Sequence, residues 1–463
     1  MNASANQYQS DILSGKDTQF SKRNQEICDL VIGLDLGTSC TKVVVQSPFR
    51  HKKWSQAIPL NENYREPYLI PTQLFYDAES GVTDIVDFSG AKRFQNLKLR
   101  FIDKPNQSVC TLKDGHVACI RDFSVAFIAN ILFKTREWIF ENCSDKFRQF
   151  KLIWHLNMGI PSSNFRKQYF ALYKAIALAG WNQSTSSKDI TLQDASLCYE
   201  AGSQNGNDSI HPELVNIIPE VTAEVVNYAR SESRNSGLHV IVDIGASTLD
   251  VAGFELYERS GKDNYSLIET QVRRLGAYRC HLARIREMKR LILQEYALDE
   301  EFSDPSYRVH QTLEEYLPQI ELDTISERDF TFRKLVRVCI GKVIKLLHNE
   351  SDPLAKAWET GLSIFLCGGG QYVDLYQSVL RDIEADWQRY NSKMRFRVTR
   401  LDQRPSNFHG EGAEFHRLAV AYGLSFPKDE FGDIWPKPKK RKIIRMEKDF
   451  NIYEKNYIRK EDM

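Results

Sequence analysis

With 463 residues, 42% of them hydrophobic, the chain has material for roughly two to four domains and a substantial buried core. Its 62 Lys and Arg balance 61 Asp and Glu, and the net charge of +1 gives the molecule no general attraction to nucleic acid or to an anionic membrane. No apolar run reaches the roughly 18 residues of a membrane-spanning helix and the N-terminus has no apolar signal core. Nine scattered cysteines without a C-x-x-C pair argue against a disulfide framework or a zinc site, and for a reducing cytosol.

In chain order, residues 1–27 read as a tail. VIGLDLGTSCTKVVV, from Val31 to Val45, then reads as a β-hairpin with strands near Asp29 to Asp35 and Thr41 to Ser47. A carboxylate at a strand end beside a Gly-Thr-Ser turn suits a hydrated metal ion next to phosphate: turn amides and hydroxyls donate to the anion, and aspartate supplies hard oxygen for magnesium. Residues 61–118 are short strands broken by turn residues, a small β-rich insertion. Helical spacing runs from Arg121 to Glu141. The strand FKLIWHLNMGI ends at Pro161, and SSNFRKQYFALYKAIALAG predicts a helix with a serine cap and a glycine stop.

Polar residues from Trp181 to Pro212 predict an irregular insertion, followed by the helical PEVTAEVVNYARS. LHVIVDIGASTLDVAGFEL then repeats the opening pattern. A strand follows, with helices through RCHLARIREMKRLILQEYA and FTFRKLVRVCIGKVIKLLHN. LSIFLCGGGQYVDLYQSVLRDI is strand, triple glycine and helix, and GAEFHRLAVAYGLSF is the last element before a basic tail, 427–463. The organising feature is a duplication of about 200 residues, the scale of a domain. It divides the chain into 28–236 and 237–411, the latter with a helical insertion at 276–359, and 412–426 returns to the first half. Each half carries an aspartate at its turn, and the two are expected to face each other across a cleft.

VIGLDLGTSCTKVVV resembles the first phosphate motif of the actin-like ATPase superfamily, VIVDIGASTLDVAGFEL the second, and IFLCGGG the adenosine motif. The connecting helices IIPEVTAEVVNYA and GAEFHRLAVAYG extend the match. Among branches the 70-kDa heat-shock chaperones are the most similar, through LIPTQLFYDAESG and SGAKRF. Roughly Leu30 to Phe426 is covered. The resemblance implies an α/β fold of two lobes, each a ribonuclease-H-like five-stranded sheet with flanking helices and an inserted subdomain. ATP or ADP with Mg2+ would sit between the lobes.

By that resemblance Asp35 and Asp243 are the magnesium-side aspartates, acting through water. Gly37, Thr38 and Ser39 form the first phosphate loop, and Gly245, Ala246, Ser247 and Thr248 the second, where the chaperones carry glycines at Ala246 and Ser247. Lys92 matches the lysine that positions the attacking water. Glu220 matches the glutamate near the metal, with Val221 in place of the usual proline, and Thr248 and Asp250 complete the second motif. Gly368, Gly369 and Gly370 admit the nucleoside and Tyr372 stacks on its base. In the helix from Lys334 to Leu347, Ile340, Val343 and Ile344 replace the polar adenosine contacts, with Lys342 close by. The expected activity is slow ATP hydrolysis by a chaperone-like switch acting on a separate partner protein, since no peptide-clamping β-sandwich follows. A self-associating filament protein and a nucleotide-binding module without turnover are the alternatives. KPKKRK reads as a solvated tail, or as a nuclear signal in a eukaryotic host.

Overall fold

The computed structural model describes residues 26–49, 54–61, 66–161, 167–186, 189–204, 212–230, 234–259, 262–292, 309–313, 315, 322–351 and 356–431. The expected N-terminal tail, up to residue 25, the serine cap at 162–163 and the KPKKRK run lie outside them.

The described residues form a mixed α/β structure. Strands β1 (Ile27–Asp35), β2 (Cys40–Ser47) and β3 (Trp54–Ala57) open the first sheet, and β4 (Ile70–Pro71) pairs with β2. The β-rich insertion contributes β5 (Leu74–Tyr76), β6 (Thr83–Asp84) and β7 (Lys92–Phe94) as a small sheet, and β8 (Ser108–Thr111) with β9 (Val117–Cys119) as a ribbon. It also holds a short helix, Leu97–Asp103. Strands β10 (Lys151–Ile160) and β11 (Val215–Pro219) extend the first sheet. The second consists of β12 (Gly237–Ile244), β13 (Leu249–Arg259), β14 (Lys262–Arg273), β15 (Leu362–Cys367) and β16 (Phe396–Arg400).

Both sheets repeat one topology. The order β3-β2-β1-β10-β11 runs antiparallel, antiparallel, parallel, parallel, and so does β14-β13-β12-β15-β16. The parallel strands are covered on both faces, which is why β1 and β12 read as nearly unbroken apolar runs up to their aspartates. The last short strand, β17 (Phe408–His409), pairs with β3 and so joins the first sheet ahead of the expected boundary at 411. A hairpin in the N-terminal half and a strand near the C-terminus thus complete one sheet.

Helix lengths correct two expectations. The helix expected to stop at Gly180 runs Lys167–Ser186, and Leu192–Gln204 forms a further helix inside the supposedly irregular insertion. Gly180 is a packing glycine: a Cβ there would lie 2.7 Å from Ile128 Cγ2 of the Ile120–Phe147 helix. Trp181, Leu192 and Ala195 are buried in the same core, so tertiary burial outweighs the polar composition of the segment.

The helices Glu220–Ala229 and Phe415–Leu424 pack against each other. Their apolar residues share one cluster with Val44 of the first sheet and with Ile241, Phe254 and Cys367 of the second. Close approach depends on two glycines: a Cβ on Gly33 of β1 would sit 2.2 Å from the Ala421 carbonyl oxygen, and one on Gly423 would sit 2.1 Å from that of Ala223. Among the described residues no helix is long and apolar enough to cross a membrane.

Candidate functional site

Asp35 is the last residue of β1, and Asp243 is the penultimate residue of β12, the equivalent strand of the other sheet. Both line one cavity of about 820 Å³. Of the expected site residues, Gly37, Thr38, Ser39, Glu220, Gly245, Ala246, Thr248, Gly368, Gly369, Gly370 and Tyr372 line it as well. Four do not. Lys92 is exposed on β7, opposite Tyr76, and Lys342 is exposed on the Leu322–Glu350 helix. Ser247 and Asp250 are buried off the cavity wall.

The lysine that lines the cavity is Lys98, not Lys92. The short helix Leu97–Asp103 buries Lys98 and sets its Nζ 2.9 Å from Glu220 Oε1. Burial works against the Lys98 charge, but Glu220, Asp35 and Asp250 outweigh it and raise its pKa, so the ammonium is retained. Lys98→Met is expected to cost ~3–5 kcal/mol in urea unfolding at pH 8, because Glu220 then keeps a buried charge without its partner. Adding Glu220→Gln should restore most of it. A double variant no more stable than Lys98→Met would disprove the pairing as the cause.

A second missed lysine decides the electrostatics. Asp35 faces Lys42 across the first hairpin, with Lys42 Nζ 2.8 Å from Asp35 Oδ2. Asp243 faces Asp250 at the same place in the second hairpin. Directly opposed cross-strand residues share a face, so the first hairpin sets a cation beside its carboxylate and the second sets two carboxyls together. Burial, then Glu220 and Asp35, push the Asp243 carboxyl up to about 7, against Lys42 and Lys98. Asp250 is raised well above the ordinary aspartate value by burial and by Asp243. Both facing partners were within reach of sequence reasoning, since each lies seven positions after its aspartate.

No protein-family model matches this chain, and no curated protein matches its sequence.

The loops differ in detail from their expected use. The amides of Gly37, Gly245 and Gly370 donate to the carbonyls of Asp35, Thr248 and Ile244 at 3.1, 3.0 and 2.8 Å, so these three are committed to holding the turns. The amides of Thr38 and Ala246 donate to no backbone carbonyl among the described residues. The second loop is braced from behind: Ala277 and Tyr278, opening the Ala277–Ile292 helix, donate to the carbonyls of Gly245 and Ala246 at 2.9 Å each. In the triple glycine, Gly368 has φ 77° and a Cβ would meet Asp243 Oδ1 at 2.1 Å, whereas at Gly369 the nearest atom is Arg417 Nε at 3.8 Å. Gly368 is therefore required by the fold, and Gly369 is the glycine beside open space. Arg400 lies over the Tyr372 ring at 4.7 Å and His416 meets it in a T-shaped contact at 5.3 Å.

This donor set fits a hydrated magnesium ion and a polyphosphate. Two carboxylates from opposite sheets, the turns at Thr38 and Ala246 and the Lys98 ammonium line one space of about 820 Å³.

Proposed function

We propose that this chain is an ATP-binding, slowly hydrolysing, chaperone-like ATPase of the actin-like superfamily, whose two ribonuclease-H-like lobes change their relative angle with nucleotide state and so act on a separate partner protein. The observation that carries this reading is the meeting of Asp35 and Asp243, from equivalent strands of two sheets with the same topology, in one cavity. Sequence resemblance to the phosphate and adenosine motifs supplies the nucleotide class.

Asp35 and Asp243 would hold Mg2+ through water, and the ion would neutralise charge on the phosphate chain. The remaining work belongs to the protein. Thr38 and Ala246 donate backbone hydrogen bonds to phosphate oxygens, and Lys98, oriented by Glu220, stabilises negative charge on the terminal phosphate. Tyr372, which lines the cavity, would stack on the base. The helices Glu220–Ala229 and Phe415–Leu424 share a cluster with both sheets, so a change at the phosphates is transmitted through packed side chains to the lobe angle.

A second reading, nucleotide binding without turnover, draws on the facing carboxyls of Asp243 and Asp250, both with raised pKa, and on the committed Gly245 amide. One experiment separates the two. ATP at 100 times its Kd with magnesium should stabilise the folded protein by about 2.7 kcal/mol in thermal unfolding. Single-turnover phosphate release from the same complex then shows whether the bound ATP is cleaved. No stabilisation by any nucleotide would remove both readings.

A further inference from the structure

We propose that Glu224, Asp243 and Cys367 form a binding site for a thiophilic divalent cation of the zinc type, which shares Asp243 with the wall of the polyphosphate-facing cavity. The three residues come from three elements: Glu224 from the Glu220–Ala229 helix, Asp243 from β12 and Cys367 from the end of β15, where it pairs with Asp243 across the parallel ladder. One ligand atom from each lies within 4.8 Å of the other two. This inference does not depend on the nucleotide reading.

Glu224 is the independent observation. It is 1% exposed, and neither carboxylate oxygen meets a donor in good hydrogen-bond geometry among the described residues; the thiol of Cys367, in the same cluster, is the donor that acts on it. The charged groups that act on it, Asp243, Asp250 and Glu220, are all acidic. A buried carboxylate without a well-placed donor is strongly destabilising unless a proton or a cation compensates it. The neighbouring thiol selects among cations. Magnesium and calcium take oxygen and leave a cysteine aside, whereas zinc and cobalt accept thiolate and carboxylate together.

The dimensions agree. Tetrahedral zinc with bonds of about 2.0–2.3 Å places its ligand atoms roughly 3.5 Å apart, so shifts of about 1 Å close the observed cluster onto an ion. Asp243 lines the cavity while Glu224 and Cys367 are buried, which gives three protein ligands and a fourth position open to water. On binding, the Cys367 S–H bond breaks, its proton passes to solvent and a metal–sulfur bond forms. The hydrogen bond from Cys367 Sγ to the Val242 carbonyl, 3.6 Å, is given up. A Glu224 proton, where present, is released in the same step. The absence of any C-x-x-C pair hides such a site from sequence reading, because its ligands are 143 residues apart from Glu224 to Cys367.

The test is titration of the metal-free full-length chain with Co2+, then with Zn2+ in competition, in the absence of nucleotide. A thiolate-to-cobalt charge-transfer band should appear at one equivalent and vanish as Zn2+ displaces Co2+. Cys367→Ser should abolish the band, and Glu224→Gln, which keeps shape and adds a donor, should weaken Co2+ binding at least about 100-fold. A wild type without the band, or a folded Cys367→Ser that keeps it through another cysteine, overturns the proposal. Should Cys367→Ser fail to fold, Glu224→Gln decides alone: wild-type affinity there would equally overturn it.

Discussion

Asp35→Asn and Asp243→Asn are each expected to cut phosphate release from ATP by about 10²–10³-fold, while moving the stability of the nucleotide-free protein in opposite directions. The common loss follows from the cavity, which both carboxylates line. The opposite stabilities follow from the surroundings of each carboxylate. Asp35 accepts from Lys42 at 2.8 Å, and its removal leaves that ammonium, 17% exposed at its side chain, without a counter-charge; a loss of about 1–2 kcal/mol is expected. Asp243 instead faces Asp250 and is raised by burial and by Glu220 and Asp35 to about 7. Between its unfolded value of 3.8 and about 7, the native state holds a proton that the unfolded state has lost, so stability falls as pH rises through that window and the cost is complete above it. Asn removes the cost. The gain in Asp243→Asn should be near zero at pH 4, grow toward pH 7 and level off, reaching ~2 kcal/mol once solvent screening is allowed for. Urea unfolding at pH 4, 6 and 8, beside phosphate release, reads both quantities. Equal destabilisation by the two substitutions at pH 8 would contradict this difference in surroundings, and undiminished release in either would remove that carboxylate from the proposed reaction.

Gly423→Ala and Gly33→Ala should each destabilise the protein by about 3 kcal/mol or more, the upper end for overpacking. In both cases the added Cβ meets a backbone carbonyl oxygen, at 2.1 and 2.2 Å, rather than the end of a flexible side chain. Relief therefore requires the Phe415–Leu424 helix to lift from β1 or from the Glu220–Ala229 helix, separating the cluster that touches both sheets. Gly341 provides the control: it lies within the Leu322–Glu350 helix with nothing within 4 Å of an added Cβ, so Gly341→Ala should stabilise by roughly 0.5–1 kcal/mol through helix propensity. Urea midpoints for the three variants check the ranking. If Gly423→Ala behaves like Gly341→Ala, the two helices are not held by backbone contact.

Local pattern alone determined much of this protein. Unbroken apolar runs ending in Asp35 and Asp243, each followed by a small-residue turn and a second β-branched strand, specify two hairpins because register and turn chemistry are nearest-neighbour properties. The duplication, the triple-glycine turn and the helix at Phe415–Leu424 are legible for the same reason. Tertiary structure decided what those patterns leave open. Which lysine reaches the carboxylates depended on a seven-residue helix that buries Lys98 and leaves Lys92 in solvent, a choice made by packing. The Leu192–Gln204 helix exists because Leu192 and Ala195 are buried in the core, against its polar composition. Glu224 and Cys367 sit in an ordinary helix and an ordinary strand; the parallel pairing of β12 with β15 sets Cys367 beside Asp243, and the packing of the Glu220–Ala229 helix brings Glu224 to both. Charge at such a point is set by three-dimensional distance and burial, quantities that chain spacing does not encode.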